Sequence, residues 1–220
     1  HASVLGTMQE ASAADTAEAI EAALQAAVPW RRMSFEDRAA IFLKAADLLA
    51  GPWRERLVAA TMLGQSKTAI QAEIDAACEL IDFWRFNVKF AENIACDQPR
   101  SAPGVWNRSD TRPLEGFVYA ITPFNFTAIA GNLPTAPALM GNAVVWKPSS
   151  TQLFAATMTM ELLEEAGLPA GVINLVTGHG PSVSAEVLPH RALSGIHFTG
   201  STGVFQSMWR TVGENVSGYD

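Results

Sequence analysis

Cysteine is scarce in this sequence: two residues in 220. That is too few to staple a domain of this size, so a disulfide scaffold is excluded and a reducing compartment is expected. Charge is thin as well. Charged residues make up 17% of the chain, and 49% is hydrophobic. Against a usual charged share of about 25%, that excludes intrinsic disorder, a coiled coil and a collagen-like fibre. Basic residues are outnumbered, giving a net charge of -7. Nucleic acid is therefore not an expected partner, because phosphate binding needs clustered Lys and Arg. Long apolar runs are missing too. Pro123, Asn125, Asn132, Pro134, Pro137, Gly141 and Asn142 interrupt each stretch before it reaches the roughly 18 residues of a membrane span. There is no Walker-type G-x-x-x-x-G-K-[ST], no full G-x-G-x-x-G and no metal-ligand spacing among the four histidines, so no metal site is expected. No internal repeat or low-complexity tract occurs.

The charge that is present is unevenly spread. Residues 1–115 hold 28 of the 37 charged side chains, and from Gly116 to Met160 there is one, Lys147. The second half therefore reads as the buried interior of an α/β protein, or as a surface covered by other polypeptide. Both ends read as cut: the chain starts at His1 without Met or a signal peptide, and stops at Tyr219-Asp220.

The first stretch reads as helices. Ala13 to Val28 has apolar residues at helical spacing. Ser34 to Asp37 resembles a capping box opening a helix to about Ala50. Pro52 suits the first position of a helix that Gly64 closes. Thr68 caps a long helix to about Asn93, with Ile70, Ile74, Ala77, Ile81 and Trp84 on one face. Residues 94–116 form a break rich in Pro, Gly, Ser and Asn, read as a hairpin or projecting arm turning at Ser109-Asp110-Thr111. After Gly116 strands alternate with helices. Strands are expected at Phe117 to Ile121, Ala143 to Lys147, Val172 to Val176 and Gly195 to Phe198. Helices are expected at about Ala128 to Leu139, Thr151 to Ala166 and Val204 to Gly213, with a short one before the last strand. Pro134 warns against continuity in the first of these. Such alternation implies a parallel sheet with right-handed crossovers, and ligands bind beyond the carboxyl ends of such strands. Four loops lie at those ends: Thr122–Phe126, Lys147–Ser150, Thr177–Pro181 and Thr199–Thr202. They are expected to converge on one crevice.

Several residues there could carry chemistry. The Phe198-Thr199-Gly200-Ser201-Thr202 turn lets backbone approach a ligand, and the helix N-terminus after it suits a pyrophosphate. An ordinary strand-to-helix turn is an equal reading. Lys147 ends an apolar strand, where an unpaired ammonium is costly to bury. Either its stem packs while the head reaches water, or it meets ribose or phosphate in the crevice. Asn125, between two phenylalanines, is either a turn residue bonding local backbone or a donor aimed at an oxyanion. Cys78 lies inside a long helix and Cys96 in the polar break, so neither is read as a nucleophile. Glu79, Asp82 and Arg85 read from spacing alone as a solvated face.

Taken together, TMLGQSKT (61–68), QAEIDAACELIDFWRFN (71–87), RPLEGFVYAITPFNFTAIAGNLPTAPALMGNAVVWKPS (112–149) and GIHFTGST (195–202) resemble the aldehyde dehydrogenase superfamily. The loop after the first strand reads Pro123-Phe124-Asn125 where most of the superfamily has P-W-N, and Phe205 stands where a glycine is general. Both features resemble the pyrroline-carboxylate branch. The resemblance implies a partial α/β fold. Residues 1–95 would form an N-terminal helical part, 96–116 an oligomerisation arm and 117–220 a Rossmann-like NAD-binding core, with the catalytic domain outside this chain. It implies Asn125 as oxyanion holder, and Thr122 near the nicotinamide end of NAD. It places Lys147 on the adenosine ribose, and Gly200, Ser201, Thr202, Gly203 and Val204 along the pyrophosphate. Phe126 would face the substrate, and Glu79 would lie on a helix flanking the aldehyde tunnel. Ser150 departs from the pattern, since many relatives place an acidic residue there on the ribose, which bears on the choice of NAD over NADP.

The implied activity is NAD-dependent oxidation of glutamate γ-semialdehyde to glutamate in proline catabolism. A cysteine thiolate adds to the aldehyde, hydride leaves to nicotinamide, and a glutamate-activated water releases the acid from the thioester. That cysteine and glutamate lie downstream of the TGS turn, so residues 1–220 alone are expected not to turn over substrate. A homo-oligomer in the bacterial cytoplasm or mitochondrial matrix is implied. Two other functions stay open: oxidation of another aldehyde, and a catalytically silent assembly module.

Overall fold

The computed structural model describes residues 4–220; the start read at His1 lies outside them. Helices come first. Helix α1 (Ala13–Arg32) is opened by a capping box between Ser12 and Asp15, and runs through Pro29 to Arg32. Ser34 caps α2 (Phe35–Ala50), its hydroxyl accepting from Asp37 N. The next helix, α3 (Arg54–Gln65), starts two residues after Pro52 and ends at Ser66 in a left-handed conformation. The long helix after Thr68 has an irregular middle: α4 (Ala69–Ala72), a π-helical segment (Glu73–Glu79) and α5 (Leu80–Cys96).

That π segment overturns the expected apolar face. A π turn holds more residues than an α turn, so side chains before it rotate relative to those after it. Ala77, Ile81 and Trp84 are buried as expected, but Ile70 and Ile74 are exposed, and Asp75 is turned inward at 2% exposure.

The arm also differs from the expectation. Its turn lies at Pro103-Gly104, with Gly104 at φ +79° and Val105 N donating to Ala102 O. Pro then Gly at the centre of a four-residue turn is the type II signature, because the third position needs positive φ. Gln98 holds both backbone groups of Ser109 across it, and Asn107 bonds Arg100 O. Residues 109–111 are thus in a flank of the turn and do not form it.

The sheet holds β1 (Phe117–Thr122), β2 (Ala143–Pro148), β3 (Ile173–Leu175) and β4 (Leu193–Phe198), all parallel, in the order β3-β2-β1-β4. Its crossovers are α6 (Thr127–Leu139), α7 (Leu153–Ala166) and α8 (Gly180–Val187), and α9 (Thr202–Glu214) follows β4. Side chains alternate between two faces, as the two-residue strand period requires. Val118, Ala120, Val144 and Trp146 meet α6 and α7, with α2, α3 and α5 layered outside. Phe117, Tyr119, Ala143 and Val145 meet α1 and α8. Sheet order reverses beside β1, with β2 on one side and β4 on the other, which is where such folds open a crevice.

Helix α6 keeps going through Pro134 and Pro137. A proline removes one N–H and orphans the carbonyl four residues back. Pro137 orphans Leu133 O, and His197 Nδ1 on β4 sits 2.8 Å from it. Further on, Trp30 Nε1 donates to Ala138 O and Arg38 Nε to Leu139 O. A tertiary partner therefore meets the carbonyl that Pro137 frees, and two more donors reach the last carbonyls of the helix.

Candidate functional site

In-register pairing brings Ile121, Lys147 and Phe198 side by side at the carboxyl ends of β1, β2 and β4. The four loops beyond these ends and β3 share one crevice of about 510 Å³. Thr122, Lys147, Gly180, Gly200, Ser201 and Val204 line it. Asn125, Phe126, Thr202, Gly203 and Glu79 do not. Asn125 and Phe126 sit one and two residues past Phe124, which does line it; Thr202 and Gly203 lie between Ser201 and Val204; Glu79 is exposed on the π segment.

Lys147 is 8% exposed and makes no hydrogen bond or ion pair among the described residues. Burial pulls its pKa below the ordinary lysine value, and the charge of Glu10 partly offsets this. Glu10 belongs to an N-terminal strap held against the loop after β3, where Ala11 N donates to Thr177 O and Thr177 Oγ1 to Gln9 O. A Cβ at Gly180 would lie 3.7 Å from Lys147 Nζ, an ordinary contact distance, so the start of α8 passes close beside the ammonium.

At α9, Ser201 Oγ accepts from Val204 N and Ser201 O from Phe205 N. The backbone N–H groups of Thr202 and Gly203 take no acceptor among the described residues. Unmet donors at a helix N-terminus form an anion-binding end. Thr122 is buried and its hydroxyl accepts from Trp146 Nε1 at 2.9 Å, so Thr122 meets the crevice mainly through its backbone. Cys78 and Cys96 are exposed and absent from the crevice lining.

Below the Asn125 loop lies a polar cluster that sequence reasoning missed. Asp75 accepts from Thr127 N and Ala128 N, both at 2.8 Å, and pairs with Lys67 Nζ at 2.6 Å. Lys67 Nζ also lies 4.4 Å from the centre of the Phe126 ring. The Thr127 hydroxyl meets Thr61 Oγ1, Gln65 Nε2 and Gln152 Nε2. The available signal was Asp75 among alanines, at Ala72, Ala76 and Ala77: a carboxylate on a small-residue face needs a partner. The exposed trio Glu79, Asp82 and Arg85 drew attention to the other side of the helix.

Comparisons with known proteins agree on one family. The aldehyde dehydrogenase family model matches residues 1–218. A probable delta-1-pyrroline-5-carboxylate dehydrogenase from Schizosaccharomyces pombe is 52% identical over 218 residues, covering 99% of this chain and 40% of that protein. The crystal structure of the Mycobacterium tuberculosis delta-pyrroline-5-carboxylate dehydrogenase bound with NAD superposes with a TM-score of 0.97 at 66% identity, covering 98% of this chain and 40% of that one. A NAD-dependent benzaldehyde dehydrogenase from Corynebacterium glutamicum superposes at 0.82 and 30% identity, covering 97% and 46%. The chain thus spans about two fifths of the length of the pyrroline-carboxylate relatives it matches.

Proposed function

The chain belongs to the aldehyde dehydrogenase family, and from that membership we propose that it supplies the NAD cleft and oxyanion donor for oxidising glutamate γ-semialdehyde to glutamate. The nucleophilic cysteine and base glutamate would come from the part of the polypeptide after residue 220, as the family resemblance implies. The observation that carries this reading is one crevice lined by both Lys147 and the N-terminus of α9, where neither the ammonium nor the N–H groups of Thr202 and Gly203 find a partner among the described residues.

Those two features fit a dinucleotide. The N–H groups of Thr202 and Gly203, with Gly200 and Ser201 keeping the turn close, would hold the pyrophosphate. Lys147 would donate to the ribose of the adenosine half. Thr122 and Val204 would wall the cleft. NAD, when bound, supplies a hydride acceptor. The chain's own contribution to the chemistry is Asn125. Its side-chain N–H would donate to the oxygen that gains charge when a thiolate adds to the aldehyde, a donor best placed before the charge develops. Phe124 and Phe126 on either side of it are exposed, and would shed water from that oxygen as aldehyde enters. Glu79 would stand at the substrate entrance.

The arm over 96–116 is assigned to contact with a second copy. Trp106 is 79% exposed on it, with Val105 and Leu114 also exposed, a pattern typical of an aromatic anchor awaiting a partner. We place the protein where Cys78 and Cys96 stay reduced, in a bacterial cytoplasm or mitochondrial matrix. No helix among the described residues is long and apolar enough to cross a membrane.

The test is steady-state kinetics of the full-length protein with NAD and either glutamate γ-semialdehyde or succinate semialdehyde. A higher kcat/KM for the glutamate compound supports the reading. Preference for succinate semialdehyde moves the substrate assignment, and no NAD reduction with either overturns it.

A further inference from the structure

Resting on the reading of Asn125 as oxyanion donor, we propose that Asp75 is a positioning residue for that donor: its carboxylate pins the first turn of α6, and so sets where the Pro123–Phe126 loop holds the amide. Asn125 is exposed and makes no hydrogen bond of its own among the described residues. Its place is therefore inherited from what anchors the chain on either side. Pro123 is buried on one side. On the other, α6 begins two residues later, and its N-cap residue, Phe126, has no side chain able to cap it.

Asp75 fills that gap from another element. One carboxylate oxygen accepts from Thr127 N and the other from Ala128 N, each at 2.8 Å. This is an N-cap supplied in space and not in sequence, and charge makes it stronger than a hydroxyl cap. Lys67 balances the buried carboxylate at 2.6 Å, and the same ammonium lies over the Phe126 ring, so one cation touches both the anchor and the loop. The Thr127 hydroxyl, gripped by Thr61, Gln65 and Gln152, fixes the same turn a second time. The π segment is what makes this reachable, because it turns Asp75 inward while Ile70 and Ile74 face water. A catalytic donor has to be held to within roughly half an ångström, and a loop whose own contacts are few needs such an outside anchor.

The experiment is a double-mutant cycle in the full-length enzyme with Asp75→Asn and Asn125→Ala. Asp75→Asn keeps the shape but presents an amide where one backbone N–H needs an acceptor. Expected is a fall in kcat of about 10–100-fold, with the Kd for NAD within about twofold of wild type. Because Asp75 acts through Asn125, adding Asp75→Asn to Asn125→Ala should slow the enzyme no further. Lys67→Met, which leaves both backbone bonds in place, should give a smaller loss that also vanishes in the Asn125→Ala background. It decides the matter if Asp75→Asn fails to fold. Equal penalties in both backgrounds, or a fall in NAD affinity that tracks kcat, overturn the positioning role and leave the Asn125 reading intact. A wild-type rate in Asn125→Ala alone overturns that reading, and this proposal with it.

Discussion

At Lys147, burial and charge conflict. The side chain is nearly enclosed, yet nothing described pairs with it. Burial lowers its pKa, so the folded protein releases this proton at a lower pH than the unfolded chain does. Between those two values the unfolded state binds more protons, and folding gains stability as pH rises through that interval. Lys147→Met removes the conflict. At neutral pH the variant should melt a few degrees higher than wild type without NAD, and the gap should close as pH climbs toward the ordinary lysine value. On the proposed placement of Lys147 at the ribose, the same variant should bind NAD about 10–150-fold more weakly, since a hydrogen bond from a charged donor is worth about 1.5–3 kcal/mol. Thermal melts across pH and a fluorescence titration with NAD check both. Tyr119 is shifted by burial too, its hydroxyl pushed up to about 12 against the bond to Ser184, but that keeps it neutral and leaves no buried charge to offset. Among single residues the sequence made Lys147 conspicuous because it is the one charge in forty-five residues from Gly116 to Met160. Asp75 was not conspicuous. It sits in a stretch with Glu73, Glu79 and Asp82, and only the irregular backbone decides which of these points inward.

Helix α6 is the element on which the proposed site depends, and its sequence argues against it. It lacks a cap of its own and holds Pro134, Pro137 and Gly131. It survives because its ends and gaps are answered from elsewhere, with Asp75 at the positive end and Arg38 at the negative end, each suited to the helix dipole. Arg38→Met should orphan the buried carbonyl of Leu139 and the part-buried one of Met33, and cost about 1–3 kcal/mol, seen as a lower thermal midpoint. Gly131 is needed for a different reason. A Cβ there would stand 2.8 Å from Leu80 Cδ1, so the end of this fully buried side chain would have to shift within the core. Gly131→Ala should cost about 1–3 kcal/mol by overpacking between α5 and α6, measured by the same melt. The helix itself was legible in the sequence, and so were its neighbours α2 and α7, because their caps are local: Ser34 at one, Gly167 at the other. What rescues α6 was not legible, because Trp30, Arg38, Asp75 and His197 are brought to it only by the fold.

Across the whole molecule, the parallel sheet and its converging loops could be read from strand and helix alternation, since each crossover is short and leaves few topologies. The arm's turn was misplaced because Ser109-Asp110-Thr111 is polar and central, while Pro103-Gly104 carries the backbone requirement. Local stability should follow layer depth. In hydrogen exchange, amides of β1 and β2 should be among the slowest, and those of residues 97–112, which are exposed and weakly tied, among the fastest. Neither cysteine lies in the crevice. Cys78→Ser and Cys96→Ser should therefore each keep kcat within about twofold in the full-length enzyme; a large loss from either would place the nucleophile in this chain after all. The π segment has one more consequence, for tolerance to change in length. Each helical residue advances about 100° around the axis. Removing a single residue between 73 and 79 would take out the excess residue of the wide turn and let the backbone close to plain α geometry, so Asp75 would lose the inward orientation that brings it to Thr127 N and Ala128 N. In this stretch packing leaves only the outward positions, such as Ile74 and Glu79, free to vary, while Asp75, Ala76 and Ala77 are held by burial and the number of residues is held by the turn they make.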